Sequence, residues 1–296
     1  MDETTFSYPS ADDLDIVVRR WSPAGSSPVG SVQIAHGMGE HSARYGRLAD
    51  ALTGQGWVVY AGDHRGHGRS AVGLDGSGSA DALGDLGRHG WTGLVDDLGR
   101  LVERVADEQP GVPHVLLGHS MGSFAAQQYV LDHSARIDAL VLSGTTAVDL
   151  AASTMDPDAE TDLSALNAAF EPARTPFDWL SRDEAEVDAY LADPWCGFGL
   201  DAAGTRGLVE AAPRLAEPEA LAGIRPDLPL YLVAGSADPL NLELALLDLL
   251  VQRYRDAGLV DITTAYYPGA RHEVFNETNR DEITDGLLGW LSRFTS

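Results

Sequence analysis

A serine between two glycines is the strongest chemical signal in the sequence. Residues 118–122 read GHSMG, with Ser120 at their centre, and they directly follow the apolar run 115–117. The residues after this motif have a helical composition. A strand, a tight turn and a helix in this order can present a serine hydroxyl, and so tight a turn favours glycine at Gly118 and Gly122. We therefore predict that Ser120 is a nucleophile.

A serine hydroxyl needs a base that accepts its proton. The chain has nine histidines, and their positions relative to the predicted strands indicate which of them can serve as this base. His272 comes just after the last predicted strand, residues 262–267, where its side chain would lie at the edge of a sheet. The sequence therefore predicts His272 as the base.

The base in turn needs a carboxylate that fixes its tautomer and stabilises the imidazolium. Asp238 directly follows the predicted strand 230–234, and it lies between Ser120 and His272 in the chain. Asp149, soon after the preceding predicted strand, is the alternative acid. We prefer Asp238 and interpret Asp149 as a surface residue.

An oxyanion that forms during acyl transfer needs hydrogen-bond donors. The backbone N–H of Met121, directly after the nucleophile, is one candidate. The loop after the predicted strand 32–35 reads HGMG (36–39), and its glycines, Gly37 among them, let the backbone turn an amide toward the site. The Met38 N–H is therefore the second candidate.

The segment DHRGHG (63–68) raises the question of a metal site. It clusters two histidines and an aspartate after the predicted strand 57–61. However, neither H-x-H-x-D nor H-E-x-x-H occurs, and no further ligands stand at a consistent spacing. We predict no metal here and interpret Arg65 and His67 as residues that hold the loop backbone.

Composition excludes several classes of chemistry. All 20 basic residues other than histidine are arginines, so Schiff-base, P-loop lysine and Ser–Lys mechanisms are ruled out. The single cysteine, Cys196, rules out an internal disulfide and cysteine-rich metal sites. The formal net charge of −25 disfavours nucleic acids and anionic lipid surfaces as partners. We expect no cofactor, and the sequence leaves the oligomeric state open.

The N-terminal segment and the hydropathy pattern bear on localisation. Residues 1–10 (MDETTFSYPS) are acidic and lack an apolar core, which is not typical of a signal peptide. No apolar run approaches the roughly 20 residues of a membrane-spanning helix. The expectation is a cytoplasmic protein without stable membrane insertion.

Short apolar runs alternate with amphipathic segments along most of the 296 residues, which is typical of a mostly parallel sheet flanked by helices. Helical periodicity is clear over 45–52 and 91–105, and a third pattern runs from Leu242 to Leu250. The predicted strands are 4–8, 14–21, 32–35, 57–61, 115–117, 139–142, 230–234 and 262–267, the first two as an antiparallel edge.

Residues 147–225 interrupt this alternation, because no convincing strand occurs there. The segment carries 16 Asp and Glu against five Arg, and it is too long for a loop in a compact domain. We interpret it as a helical insertion over the carboxyl edge of the sheet, between the two parts of a catalytic core (1–146 and 226–296). We expect its bulky residues to line an inward pocket: Phe170, Phe177, Trp179, Tyr190, Trp195 and Phe198.

Five segments together resemble the monoacylglycerol lipase and lysophospholipase group of α/β-hydrolases. They are HGMGEHSARY (36–45), DHRGHGRS (63–70), GHSMGS (118–123), AGSADPL (234–240) and GARHEVFNE (269–277). The resemblance implies the α/β-hydrolase fold, with an eight-stranded, mostly parallel sheet and a helical cap inserted after the sixth strand. It also implies that the family's triad falls on Ser120, Asp238 and His272, and its oxyanion amides on Met38 and Met121.

The residues and the resemblance lead to one expected activity. We expect a serine carboxylic ester hydrolase that cleaves monoacylglycerol-like, lysophospholipid-like or small acyl esters through an acyl-enzyme. An amide-cleaving hydrolase, such as a small aminopeptidase, would use the same machinery and is the alternative. A non-catalytic ligand-binding module on this fold is a more distant one, which a complete triad argues against. Transient contact of the cap with lipid remains open.

Overall fold

Eight strands form one sheet in the computed structural model, which describes residues 1–25 and 27–295. Their spatial order is β1-β2-β4-β3-β5-β6-β7-β8. β2 pairs antiparallel with β1 and β4, and the other pairs are parallel. The predicted architecture, including its antiparallel edge, is therefore confirmed. The strands are β1 (Asp2–Pro9), β2 (Asp15–Ser22), β3 (Gly30–Ala35), β4 (Trp57–Gly62), β5 (His114–His119), β6 (Ala139–Ser143), β7 (Leu230–Gly235) and β8 (Ile262–Tyr267).

Helices cover both faces of this sheet, and none within the described ranges is long and apolar enough to cross a membrane. The helices predicted over 45–52 and 91–105 correspond to α1 and α3. The α-helices of the described residues are α1 (Gly46–Gly54), α2 (Gly68–Val72), α3 (Gly90–Glu108), α4 (Met121–His133), α5 (Val148–Ala152), α6 (Glu184–Ala192), α7 (Ala202–Ala211), α8 (Pro218–Leu221), α9 (Ala245–Asp256) and α10 (Arg280–Leu291).

The helix predicted from Leu242 begins three residues later, at Ala245. Leu242, Glu243 and Leu244 have φ angles of 45°, 56° and 74°, which is the left-handed region and incompatible with a right-handed helix. The leucine spacing that extended the predicted helix to residue 242 was therefore misleading, because tertiary structure sets this backbone.

The two faces of the sheet have separate hydrophobic cores. Alternation along the strands sends Leu116 and Leu232 to one face, where they share a cluster with residues of α3, α4 and α9. Val115 and Val233 belong to the cluster on the other face, with residues of α1 and α10. Burial on both faces explains why the central strands are apolar throughout.

Parallel pairing determines where the functional loops lie. β3, β5, β6, β7 and β8 run in one direction, so the loops that follow them open at the same edge of the sheet. Ser120 follows β5, and Asp238 and His272 follow β7 and β8. Residues far apart in the chain are thereby brought to a common edge.

The segment between β6 and β7, residues 144–229, contains helices and turns and no strand, as the sequence predicted. Its later part joins the main core, because Leu208 and Leu221 share a cluster with Leu116. Val148 and Ala152 at its start belong to that core as well, whereas its middle part has a small cluster of its own, built around Trp179 and Tyr190. The insertion therefore combines a part that belongs to the core with a part that packs on itself.

Arg65, in the loop after β4, joins three segments of the chain through a fully buried side chain. Its Nε donates to Asp97 of α3 (2.8 Å), and its Nη2 donates to Asp12 in the turn between β1 and β2 (3.0 Å). Its Nη1 donates to the Leu86 carbonyl oxygen (3.2 Å), and its own carbonyl oxygen accepts from His67 Nδ1 (3.0 Å). Arg65 and His67 therefore hold the loop, as the sequence interpretation expected.

We predict that Arg65→Met lowers the free energy of unfolding by about 3–5 kcal/mol, because two buried carboxylates lose their counter-charge. Urea unfolding followed by circular dichroism measures the change. Arg206→Met is the matched control, since Arg206 forms an ion pair with Asp158 at the exposed surface and its removal should change stability little. Equal losses in the two variants would contradict the assigned role of Arg65.

Candidate active site

Ser120 lies in the turn between β5 and α4 with φ of 49° and ψ of −122°. Non-glycine residues rarely adopt positive φ, so the surrounding structure must hold this conformation. The Ser120 N–H donates to the Ser143 carbonyl oxygen at the end of β6 (2.9 Å). A Cβ at Gly118 would lie 2.6 Å from the Gly122 carbonyl oxygen, and one at Gly122 would lie 2.1 Å from that of Ala35. Crowding within the turn explains the first glycine, whereas strand β3 requires the second.

Asp238 and His272 form a buried hydrogen-bonded pair. His272 Nδ1 donates to Asp238 Oδ2 at 2.9 Å, and the side chains are 2% and 0% exposed. Asp238 Oδ1 accepts from the Leu240 N–H (3.0 Å), and Asn241 Nδ2 lies 3.4 Å from Oδ2. Since Nδ1 carries the proton, His272 Nε2 is free to accept one, and it has no hydrogen-bond partner in the described part of the chain.

Asp149, the alternative acid, lies elsewhere. It forms two hydrogen bonds with the Arg253 guanidinium of α9, at 2.6 and 3.0 Å. Its side chain is 15% exposed, so Asp149 is a half-buried ion-pair partner of α9 and not a freely exposed residue.

The electrostatics around His272 favour the protonated imidazolium. Burial opposes the positive charge, but the Asp238 carboxylate, through its charge and its hydrogen bond, raises the pKa of His272 above its ordinary value. Glu273 and Glu40 act in the same direction. The structure can therefore stabilise a proton that is transferred to His272.

Both predicted oxyanion residues line the same cavity as Ser120 and His272. The Met38 and Met121 amides make no hydrogen bond to another described residue. The Gly37 N–H, in contrast, donates to Glu40 Oε1 at 2.6 Å. The loop after β3 thus leaves the Met38 amide available, while a buried carboxylate engages the amide before it.

Sequence reasoning missed an ion-pair network beside this loop. The Arg44 guanidinium donates to Glu40 (2.8 Å) and makes two hydrogen bonds to Glu273, the residue after His272. Burial would raise the pKa of Glu273, but Arg44 lowers it to about 2. Arg44 thereby connects the loop after β3 with the loop that carries His272. The i,i+4 spacing of Glu40 and Arg44 was the available signal.

The insertion contacts the His272 loop directly. The Trp179 ring packs against the His272 ring, with centroids 4.8 Å apart. The Glu273 N–H donates to the Leu180 carbonyl oxygen (2.8 Å). The His272 nitrogen lies 3.4 Å from the Trp179 carbonyl oxygen, to which its N–H donates. Packing and backbone hydrogen bonds therefore orient the imidazole from the insertion side.

Three histidines of the loops after β3 and β4 have structural contacts. His36 Nδ1 donates to the Gly37 carbonyl oxygen (2.7 Å), and its Nε2 accepts from the His64 N–H (2.9 Å). Burial lowers the pKa of His64 to about 3 and that of His67 to about 4. These side chains are neutral at neutral pH, and His36 and His67 hydrogen-bond to backbone groups.

A cavity of about 590 Å³ opens beside Ser120. Of the six bulky insertion residues expected to line a pocket, Trp179 and Tyr190 do so, whereas the other four are not part of the wall. Phe177 packs on Tyr190, and Trp195 packs on His41. Most of the wall is apolar and includes Met38, Phe124, Val148, Leu163, Leu208 and Leu240.

Comparisons with known proteins agree with this geometry. The family described as Hydrolase_4 (Serine aminopeptidase, S33) matches residues 26–279. A monoacylglycerol lipase of Mycolicibacterium smegmatis is 33% identical over 288 residues, which cover 96% of this chain and 95% of that protein. A monoglyceride lipase of Homo sapiens is 31% identical, with 97% and 90% covered.

Among solved structures, a thermostable carboxyl esterase from Bacillus coagulans in complex with glycerol matches with a TM-score of 0.88 and 29% identity over 100% of both chains. A soluble variant of monoglyceride lipase from Saccharomyces cerevisiae matches with a TM-score of 0.77, at 21% identity, over 99% of this chain and 95% of that one. At this identity, the match to the yeast protein shows a shared fold only. The chain belongs to the Hydrolase_4 family of α/β-hydrolases, and it is a monoacylglycerol lipase-like serine ester hydrolase.

Proposed function

We propose that this enzyme cleaves acyl esters with an apolar acyl group, and that monoacylglycerols are its substrate class. The observation that carries the proposal is the apolar cavity of about 590 Å³ whose wall includes both Ser120 and His272. A volume of this size suits a small-molecule ligand. The named activities of the M. smegmatis and human relatives support the glycerol ester in particular.

In the proposed mechanism, Ser120 Oγ attacks the ester carbonyl carbon while His272 Nε2 accepts the hydroxyl proton. Asp238 holds the Nδ1–H tautomer and stabilises the imidazolium. The Met38 and Met121 N–H groups stabilise the oxyanion. The alcohol leaves with the proton from His272, which produces an acyl-enzyme. A water molecule then transfers a proton to His272 and attacks the acyl carbon; His272 returns this proton to Ser120 Oγ as the acyl bond breaks, which releases the carboxylic acid and restores the Ser120 hydroxyl.

We propose that residues 147–225 serve as a cap over a catalytic core formed by 1–146 and 226–296. Trp179, Leu163 and Leu208, all in this segment, line the cavity together with Ser120. The cap therefore supplies walls of the acyl site, and its packing against His272 links substrate binding to the position of the base.

We also propose that the mouth of the cavity contacts lipid transiently. Leu150 and Leu242 line the cavity and are also 41% and 68% exposed, which supports transient contact with lipid at the cavity mouth. We also propose that the protein is cytoplasmic, which is in keeping with a single cysteine, Cys196, that cannot form an internal disulfide.

We predict that Ser120→Ala lowers kcat for ester hydrolysis by about 10⁴–10⁶, because the acyl-enzyme cannot form. Initial rates with a p-nitrophenyl ester give the loss, and mass spectrometry after fluorophosphonate treatment gives the labelled residue. Ser123→Ala is the matched control: Ser123 is buried and its hydroxyl donates to the Ser120 carbonyl oxygen. That variant should retain labelling and most activity. Near-normal turnover by Ser120→Ala would overturn the nucleophile assignment.

The raised pKa of His272 predicts a pH dependence. The base must be neutral to act, so kcat/KM should fall as pH decreases through a pKa above the ordinary value of about 6.5. Asp238→Asn removes the charge that raises this pKa. The acidic limb of the residual activity should therefore shift to lower pH, alongside a loss of kcat of about 10⁴-fold. An unshifted limb would show that Asp238 does not control the titration of His272.

A substrate panel tests the acyl site. Each CH₂ buried in an apolar cavity contributes about 0.8 kcal/mol, so kcat/KM should rise from acetate esters to longer monoacylglycerols until the cavity is filled. Aminoacyl anilides test the aminopeptidase alternative that the family description raises. Activity that is independent of acyl length, or faster on the anilides than on every ester, would contradict the proposal.

A further inference from the structure

An imidazole, a carboxylate and a thiol, all potential metal ligands, lie close together beside the loop after β3. They are His41, Asp193 and Cys196, whose ligand atoms all lie within 4.8 Å of one another. His41 follows the loop that carries Met38, whereas Asp193 and Cys196 belong to a turn of the insertion. None of the three side chains has a role in the proposed ester hydrolysis.

The local structure holds these side chains in place. The Cys196 N–H donates to the Asp193 carbonyl oxygen (3.1 Å), which puts both residues on one turn. Asp193 Oδ1 accepts from the Trp195 N–H (2.9 Å), and Oδ2 is hydrogen-bonded to His41 Nε2 (2.9 Å). The Trp195 ring packs edge-on against the His41 ring, with centroids 5.6 Å apart. Contacts of this kind around metal ligands fix their orientation.

We propose that His41, Asp193 and Cys196 form a binding site for a thiophilic divalent cation of the zinc type. One imidazole nitrogen, one carboxylate oxygen and one thiolate are ligands that zinc accepts, and three protein ligands leave a fourth position for water. Tetrahedral ligation would place these atoms about 3.4–3.6 Å apart. The His41–Asp193 separation would widen by a fraction of an ångström, and small side-chain rotations would bring the sulfur within range.

Charge around the site favours a cation. Arg44 is the neighbouring positive group, but Glu40 and Glu273 both pair with it. These three groups together carry a formal charge of −1, and Asp193 adds another negative charge. On binding, the Cys196 thiol would release its proton to solvent, and the remaining imidazole proton would reside on His41 Nδ1.

A bound cation would join the insertion to the loop that carries Met38. The Gly197 N–H already donates to the Gly39 carbonyl oxygen (3.0 Å), and metal ligation would add a second, stronger connection beside it. The cation would therefore stabilise the folded chain, by a free energy that grows with the logarithm of the ratio of free cation to Kd. This inference is independent of the proposed function, because binding and stability can be measured without a substrate.

Cobalt(II) titration of the full-length enzyme in thiol-free buffer tests the site. Cys196 is the single cysteine in the sequence, so a near-ultraviolet sulfur-to-cobalt charge-transfer band can arise from that residue alone. We expect this band, intense visible bands typical of four-coordinate cobalt, and loss of both on addition of equimolar zinc. Zinc should also raise the Tm. Absence of the charge-transfer band with cobalt in excess would overturn the proposal.

Variants separate this site from adventitious binding. Cys196→Ser should abolish the charge-transfer band, and His41→Gln and Asp193→Asn should each weaken cobalt binding by about tenfold or more. His133→Gln, at an exposed histidine far along the chain, and Ser120→Ala should leave the titration unchanged. Circular dichroism confirms that each variant is folded. A band of undiminished affinity in His41→Gln and Asp193→Asn would show that the cysteine binds cobalt by itself, which contradicts the three-ligand site.

Discussion

The N-terminal end of α4 lies so close to the end of β3 that residue 122 has no room for a side chain. This close packing compresses the turn between β5 and α4 and keeps Ser120 at positive φ, a conformation that costs about 1–3 kcal/mol. The hydrogen bond from the Ser120 N–H to Ser143 and the buried helix α4 compensate for that cost. The same packing brings the loop after β3 beside Ser120: a Cβ at Gly37 would lie 3.2 Å from the Ser120 Cβ. The position of the proposed nucleophile relative to the proposed oxyanion loop thus follows from one contact between backbone segments.

Buried arginines organise much of the remaining polar structure. Arg65 and Arg44 each hydrogen-bond to two carboxylates that are nearly inaccessible to solvent. A planar guanidinium can satisfy several acceptors at once, which suits a site where each buried carboxylate needs a partner. In a chain with a net charge of −25 and no lysine, arginine alone supplies this function. One arginine fixes the loop after β4, and the other joins the two loops that border the cavity.

The insertion covers the site and also contacts the loops that carry its residues. Trp179 and Leu180 contact the His272 loop through ring packing and a backbone hydrogen bond. Further along the chain, Arg182 forms an ion pair with Glu277 (2.8 Å), and Gly197 bonds to Gly39. The insertion therefore contacts both the loop of the proposed base and the loop of the proposed oxyanion donors. Any movement of the insertion would alter both loops together.

The sequence by itself determined which segments are strands, where the helical insertion lies and which residues follow the strands at the carboxyl edge of the sheet. It could do so because parallel strands place their following loops on one side, and because Ser120, Asp238 and His272 each lie within five residues of the end of a strand. The local sequence pattern was sufficient to predict a structure wherever the backbone conformation depends on residues that are close in the chain.

Tertiary structure alone decided the contacts between distant segments. The left-handed backbone at Leu242 to Leu244 contradicts a regular leucine spacing, and Asp149 pairs with Arg253, 104 positions away. The partners of Arg44, the packing of Trp179 on His272 and the convergence of His41 with Cys196 likewise join loops from separate strands. Periodicity describes which face a side chain occupies, whereas only the folded chain determines which charges and rings meet across the loops.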